Sequence, residues 1–343
     1  MDRITGYIIT AVLISLTWLR SVAQNDSSPD VKGNFIAEAE LWCKDNNVFT
    51  KLDAGVSLGS MGVGLEVKTN VTEWADIRAG VDWMPRFSVP MSFNLNTYSE
   101  GMPTGNFNHV ASMLYDMTGL LIDETVKMIG KASWVNFKFL VDVYPFQENR
   151  HWHVTAGFYA GSSKIAEAIN SHEEKPTLVA LNIYNRAYSY FTNPDLSIFD
   201  VPLGGGAYLS PDVVEKLRNK LENYGRMGIH IGDFKDGQPY IMEPAPNGTV
   251  SANAFINHFK PYIGAGYSTH LDKMQKWNLG VDLGVLFWGG APEVIQYDYA
   301  NKREVNFTKD LTNIRGKVGD YMSIIKAFPV YPVLTVKISY SIL

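Results

Sequence analysis

Seven histidines, several serines beside glycines, and 35 acidic against 30 basic side chains could in principle support hydrolysis, metal binding or ion passage, and spacing tests each. No HExxH zinc motif occurs, and no GxSxG nucleophile elbow is read, so neither a metalloprotease nor an α/β-hydrolase is indicated. His151 and His153 sit two apart without an identifiable third ligand, which falls short of a zinc site. Gly59, Gly62 and Gly64 lack the GxGxxG spacing of a phosphate loop, and an alternating segment follows them instead of a helix. No catalytic, cofactor or metal residue is assigned. What stands out is a set of charged residues each placed among apolar ones with a period of two: Asp53, Glu66, Lys68, Asp76, Arg78, Asp82, Lys138, Asp142, Asp282 and Lys337, with His153, His230 and His270 in the same phase.

That period belongs to β-strands, whose successive side chains point to opposite faces. In Trp277 to Trp288, Trp277, Leu279, Val281, Leu283, Val285 and Phe287 share one face, and Asn278, Gly280, Asp282 and Gly284 the other. Leu334, Val336, Ile338, Tyr340 and Ile342 oppose Val333, Thr335, Lys337, Ser339 and Ser341. The same phase runs through Ile77 to Trp83, Val135 to Val143, Trp152 to Ala160, Met227 to Ile231 and Ile263 to Thr269. Pro145 to Arg150 reads as a tight hairpin. The longest of these runs approach the length of a tilted membrane strand and exceed the usual soluble one. The expected fold is therefore all-β: an antiparallel transmembrane β-barrel of about eight to ten strands over residues 51–343, apolar outside and polar within. The thirteen charged and histidine side chains are then expected to face the lumen. Opposite charges there neutralise one another, and so few strands leave room for side chains instead of a wide pore.

Strand number turns on Gly59-Ser60, where the apolar phase shifts from even to odd positions. A turn there, with a strand at Gln238 to Met242, gives about ten strands, and a bulge gives about eight; ten is preferred. With ten, the insertions near 91–131, 166–225 and 290–330 all fall on the outer side. They carry helical patterns at Val110 to Ile129, at Pro211 to Leu221 after the cap Ser210, and at Lys309 to Lys326. These helices are expected to pack on one another as a cap over a barrel mouth or to lie along its rim, with a partner-binding surface as the sharper reading. Tyr184 to Phe191 and Pro202 to Gly206 read as exposed loop or short hairpin.

Arg3, the apolar run Ile8 to Leu19, and Ser21-Val22-Ala23 form a secretory signal peptide cleaved after Ala23, and residues 24–50 an N-terminal extension. Cys43 is the single cysteine, so no intramolecular disulfide is available. A net charge of −5 without a basic cluster argues against nucleic acid. The 13% aromatic and 19% charged content suits packed strands and aromatic girdles.

Leu140-Val-Asp-Val-Tyr-Pro-Phe146, Val154-Thr-Ala-Gly-Phe-Tyr159, Lys260-Pro-Tyr-Ile-Gly-Ala-Gly266, Val281-Asp-Leu-Gly-Val285 and Tyr331-Pro-Val-Leu334 together resemble a family of uncharacterised outer-membrane β-barrel proteins. The start at Gln24 resembles exported proteins of Bacteroidetes-type Gram-negative bacteria. The likeness spans Lys51 to Leu343 and implies location in the outer membrane, contact with its lipid and delivery by its assembly machinery. It implies no activity. The chain departs from such barrels in ending on Leu343 instead of phenylalanine, and in the length of its insertions. The expected function is a non-enzymatic barrel with a structural role or with loops that bind a protein or small molecule. The alternatives are a narrow transporter or channel for a small or apolar solute, and a lipid-modifying enzyme using inward histidines.

Overall fold

The computed structural model describes residues 48–146, 148–199 and 201–342. The expected signal peptide, most of the expected extension with Cys43, and Leu343 lie outside the described residues. Eight antiparallel strands close on themselves. They are β1 (Leu52–Gly59), β2 (Gly62–Thr72), β3 (Ala75–Asn94), β6 (Thr125–Val143), β7 (Trp152–Gly161), β14 (Phe259–His270), β15 (Trp277–Leu286) and β19 (Tyr331–Ser341), paired in that order. Pairing of β19 back onto β1, Asp53 opposite Ser341 through Gly59 opposite Thr335, completes the ring. Closure leaves the barrel wall without a free edge.

The count settles at eight, not the preferred ten, and by a route the sequence did not suggest. Gly59-Ser60 does begin a turn: Gly59 pairs with Gly62 across Ser60-Met61. Gly62 has φ +101°, and a Cβ there would strike the carbonyl of Trp83, so this hairpin requires glycine. The two expected strands that drop out are β11 (Arg226–Phe234) and β12 (Pro239–Met242), which pair with each other outside the barrel.

The ends of the barrel differ. Residues 73–74, 144–151 and 271–276 make short connections at the end where β1 enters and β19 leaves. At the other end lie the Ser60-Met61 turn and three long excursions, 95–124, 162–258 and 287–330. These build a cap. The hairpin β3/β6 continues past the rim, its register slipping between Met84 and Phe87, where Pro85 can donate no ladder hydrogen bond. The far half of β6 pairs with β8 (Lys164–Asn170), followed in order by β13 (Ser251–Phe255), β16 (Glu293–Asp298) and β17 (Arg303–Asn306). A second sheet centres on β11, joined by β12, β4 (Asn96–Ser99) and β18 (Leu311–Thr312), with β5 (Met102–Pro103) on β4. A small hairpin, β9 (Pro202–Gly204) with β10 (Ala207–Tyr208), stands exposed, as its glycines suggest.

Four helices complete the cap: α1 (Phe107–Thr118), α2 (Lys175–Phe191), α3 (Pro211–Tyr224) and α4 (Gly316–Ala327). Helix α3 begins at Ser210-Pro211 and stops at Gly225 as expected. Helix α1 is shorter than its predicted range, because Gly119 at φ +72° ends it and β6 takes over from Thr125. Helix α4 likewise starts only at Gly316, Leu311 being in a strand. Tyr184 to Phe191 is not a loop but the second half of α2. Leu178, Leu181, Tyr184 and Asn185 share its buried face. Helices α1, α2 and α3 touch one another, α2 lies on β11 and α4 on β3. The cap's buried core includes Phe93, Val110, Leu181, Met227, Ile231, Phe307 and Met322.

Candidate functional site in the barrel lumen

Because β-strands alternate, closure sends every second side chain inward, and eight strands bring those side chains within reach of each other. Eleven of the thirteen predicted residues meet there: Asp53, Glu66, Lys68, Asp76, Arg78, Asp82, Lys138, Asp142, His153, Asp282 and Lys337. His230 is a correction. It belongs to β11 in the cap, where its Nε2 lies 3.5 Å from Asp233 and its ring 5.7 Å from that of Tyr98. Its strand has the same period of two because it is the centre of a small sheet. Alternation cannot distinguish a core-facing wall from a lipid-facing one. His270 is the second correction: it ends β14 at the short-turn rim and is exposed, outside the network.

Arg78 is the hub. Its Nη1 donates to Asp282 Oδ2 at 2.6 Å and stands 3.6 Å from Glu66 Oε1, and its Nη2 donates to Asp142 Oδ1 at 3.0 Å. Lys337 reaches Asp282 at 2.7 Å, and His153 Nε2 faces the other oxygen of the same carboxylate at 2.9 Å. Lys138 bridges Glu66 at 2.7 Å and Asp82 at 2.9 Å. Toward the short-turn rim Lys68 sits 3.3 Å from Asp76 and 4.0 Å from Asp53, while Arg150 bonds Asp76 at 3.1 Å and covers the Tyr144 ring. Such pairs are costly to desolvate and are tolerated where hydrogen bonds satisfy the remaining oxygens. Tyr144 supplies one to Asp76 at 2.9 Å and Ser341 one to Asp53 at 2.7 Å, while Thr155 adds a second bond at 2.7 Å to the Asp142 Oδ1 that Arg78 already holds, leaving Asp142 Oδ2 unpartnered among the described residues.

Space for these long side chains comes from the small residues that face them. A Cβ on Gly266 would collide with the Asp282 carboxylate and the His153 ring, and one on Gly64 with Asp82 and Ser57. One void that remains among the described residues, beside Asp53, Lys68, Gly280 and Ser339, holds about 20 Å³, room for about one water molecule. Nearer the cap the filling is apolar: Leu140, Tyr159, Tyr262, Leu286 and Val333, with Met61 folded in from the turn.

Lys260, Asn136, Ser57, Thr155 and Tyr159 share the inward phase and are buried, yet the charged positions singled out from the sequence omit them. Lys260 was legible as the inward partner of Gly264 and Gly266. Contrary to the reading from sequence, Gly55-Val-Ser-Leu-Gly59 does have GxSxG spacing. Its context denies the role: Ser57 lies inside β1 facing the lumen, with no helix after it, and Lys138 Nζ is 3.5 Å from its hydroxyl. His151 sits at the rim, its Nδ1 2.7 Å from the Ser268 carbonyl and its ring against Tyr267.

Outside, polarity is reversed. Val56, Leu65, Val67, Val81, Val281, Leu283, Leu334 and Val336 are exposed around the wall. At the short-turn end Trp152 packs on Tyr267 and Trp277 on Tyr340, with ring centres 5.0 and 5.1 Å apart. A contiguous apolar belt of this size is unsuited to water, and its aromatic border is what membrane barrels show. No helix among the described residues is long and apolar enough to cross a membrane.

Closure, strand length and inverted polarity define the class: an all-β antiparallel barrel of the outer-membrane type, with extra strands and helices gathered in a cap. No family model matches the chain, and no curated protein matches it. Among solved structures it is similar to CarO2 of Acinetobacter baumannii (11% identity, 86% of this chain and 99% of that one, TM-score 0.37). It is similar also to CarO of the same organism (11%, 86% and 98%, TM-score 0.36). A third is a major outer membrane protein of Thermus thermophilus (11%, 85% and 98%, TM-score 0.29).

Proposed function

We propose that this chain is an integral outer-membrane barrel, non-enzymatic and non-conducting, which holds a folded cap on the cell's outer face to bind a protein or small-molecule partner. The observation that carries this reading is the division of labour between the two regions. The lumen is filled by its own ion pairs, while three long connections share one core instead of trailing as separate loops. In bacterial barrels the short turns face the periplasm and the long connections face outward, which puts the cap outside and both chain ends of the barrel inside. Export by residues 1–23, contact with outer-membrane lipid and insertion by the barrel-assembly machinery belong to the same proposal.

Membrane fractionation with protease applied to intact cells tests it. Expected are an outer-membrane protein whose migration on a gel changes on heating, and cleavage confined to the cap. Recovery as a soluble periplasmic protein would sink the reading. Reconstitution into lipid bilayers tests the closed lumen, and sustained conductance would overturn that part. Turnover of phospholipid by the purified protein, lost in His153→Ala, would overturn the non-enzymatic part.

A further inference from the structure

Beyond Trp83, strand β3 keeps β6 as its neighbour but leaves β2 behind, because β2 starts only at Gly62, after the Ser60-Met61 turn. That turn is the low point of the outer rim, since the other three outer connections rise into the cap. Two cap elements overlook it. One is the free flank of β3, whose pairing with β6 is regular from Phe87 to Asn94, so that Phe87, Val89, Met91 and Phe93 share a face. The other is α4. Its Tyr321 packs on that face at Phe93, ring centres 6.0 Å apart. Its far end comes down to the rim: the Phe328 carbonyl accepts the Trp288 indole at 3.0 Å, and just beyond it Tyr331 donates to the Ser60 carbonyl at 2.8 Å.

Helix and strand leave part of each other bare. Phe93 is buried and Met91 half-buried, but Phe87 and Val89 are 49% and 46% exposed. Ile324 and Phe328, on the side of α4 that carries Tyr321, are 58% and 46% exposed. Leu58 and Val63 flank the turn below and are exposed on the wall, so the apolar exterior of the barrel is taken up again above the rim. Phe87 stands four positions past Trp83, about 10 Å of height on a tilted strand, which puts it at the headgroup layer bordering the hydrocarbon. The charge at this level has one sign. Arg86, Arg315, Lys317 and Lys326 are exposed, with Asp320 the one acid on α4, in a chain whose net charge is −5. Among the described residues none of these four cations is in an ion pair, whereas Lys164, Arg226 and Lys309 elsewhere in the cap are. Strand addition by another protein is disfavoured, because Pro85 and Pro90 lack the N–H groups it would need.

We infer that α4 and the free flank of β3 rest on the outer leaflet of the membrane that holds the barrel. Phe87, Val89, Ile324 and Phe328 enter the boundary between headgroups and acyl chains, and Arg86, Arg315, Lys317 and Lys326 meet lipid phosphates. Cations beside aromatic and aliphatic side chains are the pattern of elements that lie in that interface. The inference rests on the reading of the barrel as membrane-spanning, and adds to it a lateral lipid contact made by the cap itself.

The test uses the full mature chain carrying Cys43→Ser, refolded into vesicles of phosphatidylcholine with phosphatidylglycerol. One fluorophore at a time is attached through Ile324→Cys on α4, Val281→Cys in the middle of the wall, or Leu203→Cys on the exposed β9/β10 hairpin. Lipids bearing a nitroxide on the headgroup or deep in the acyl chain then report depth by quenching. Expected is quenching at position 324 by the headgroup nitroxide several-fold above that at 203, and quenching at 281 by the acyl-chain nitroxide. Quenching at 281 with none at 324 beyond that at 203 would overturn the inference and leave the membrane-spanning barrel standing. Absence of quenching at 281 would overturn both. Omitting phosphatidylglycerol, or introducing Lys317→Glu with Lys326→Glu, should lower quenching at 324 several-fold and leave 281 unchanged; no change at 324 would overturn the role given to the cations. Cross-linking between copies through Ile324→Cys, with quenching there lost, would give the patch to a second copy of the chain and overturn the lipid contact. Heat-modifiable migration checks that each variant folds. Should the paired lysine variant fail to fold, the comparison with and without phosphatidylglycerol carries the charge test.

Discussion

The barrel and the cap are made from one chain by opposite rules. In the barrel Arg78 is 2% exposed while Leu65, thirteen residues earlier on the neighbouring strand, is 64% exposed. In the cap Leu181 is 0% exposed and packs with Val110, Met227 and Ile231. The difference is that of two solvents. A wall facing hydrocarbon gains nothing by hiding its leucines and must close its backbone hydrogen bonds within itself, so it turns its charges inward and neutralises them in pairs. A region facing water buries apolar area and leaves charges outside. The seam between the regimes lies near Met84 to Phe87, where β3 and β6 leave the barrel and continue as ordinary sheet.

The largest effect should come from unbalancing the lumen. Arg78→Ala leaves Asp282, Asp142 and Glu66 short of their shared cation, and removing one partner of a buried ion pair costs about 3–5 kcal/mol. The heat-modifiable folded form should melt at markedly lower temperature. An unchanged melting temperature would mean that water, not Arg78, satisfies those carboxylates. Next comes the cap: Leu181→Ala opens a cavity in a water-facing core, at about 2–5 kcal/mol. Limited proteolysis should then digest cap segments while the barrel keeps its heat-modifiable migration. If barrel and cap melt together, they form one cooperative unit and the comparison fails. Third, Leu65→Lys on the outer wall should cost about 2–4 kcal/mol in lipid, since a charge near the bilayer midplane is penalised by that much. In water the same change at an exposed site would be nearly neutral. Unfolding titrations in lipid vesicles separate the two.

The same contrast explains what could be read from the sequence. Barrel strands declare themselves because lipid and lumen are so different that every second residue must change type, as from Val281 to Asp282 to Leu283. That placed eleven lumen side chains correctly without any partner being known. Which cation meets which carboxylate was not legible, since Asp282 finds Arg78 across 204 positions of chain. Strand β11 misled because Gly228 and Gly232 look like lumen glycines, whereas they make room for close neighbours, Ile241 and Met242 in one case and Thr312 and Ile314 in the other. Helix α2 was missed because its inner face carries amides. Asn185 brackets the backbone of Met227, accepting from its N–H at 3.0 Å and donating to its carbonyl at 2.6 Å, and Asn182 donates to the Pro244 carbonyl at 2.7 Å. A polar residue that serves a neighbouring strand reads locally as a solvent-facing one.

A smaller effect separates the regions by pH. In the cap, burial pushes the Glu243 carboxyl above its ordinary value, although Arg226 Nε, 2.6 Å away, pulls the other way. A carboxyl with a raised folded-state pKa favours folding while protonated. That contribution is fully present below the ordinary glutamate range and is lost as pH rises through the shifted value. Cap stability, followed by proteolysis between pH ~4 and ~7, the span from the ordinary glutamate value upward, should therefore decline upward through that window, and Glu243→Gln should flatten the decline. An equally steep profile in Glu243→Gln would assign the dependence to another group.

The smallest effect is at the surface. Lys309 lies 2.5 Å from Glu293 on the cap, and their side chains are 61% and 37% exposed. Lys309 also holds the Glu293 carboxyl below its ordinary value. A lowered carboxyl stabilises above the ordinary range and loses that contribution as pH falls through the shifted value, opposite in sign to Glu243. Screening by water and salt limits an exposed pair to below about 1 kcal/mol. Lys309→Ala should accordingly shift cap melting by little at low salt and by nothing measurable at high salt. Arg78→Ala, whose partners are shielded from solvent ions, should keep its full effect at both. A salt-sensitive Arg78→Ala would show that ions reach the lumen, and would count against a closed barrel more directly than any change at its surface.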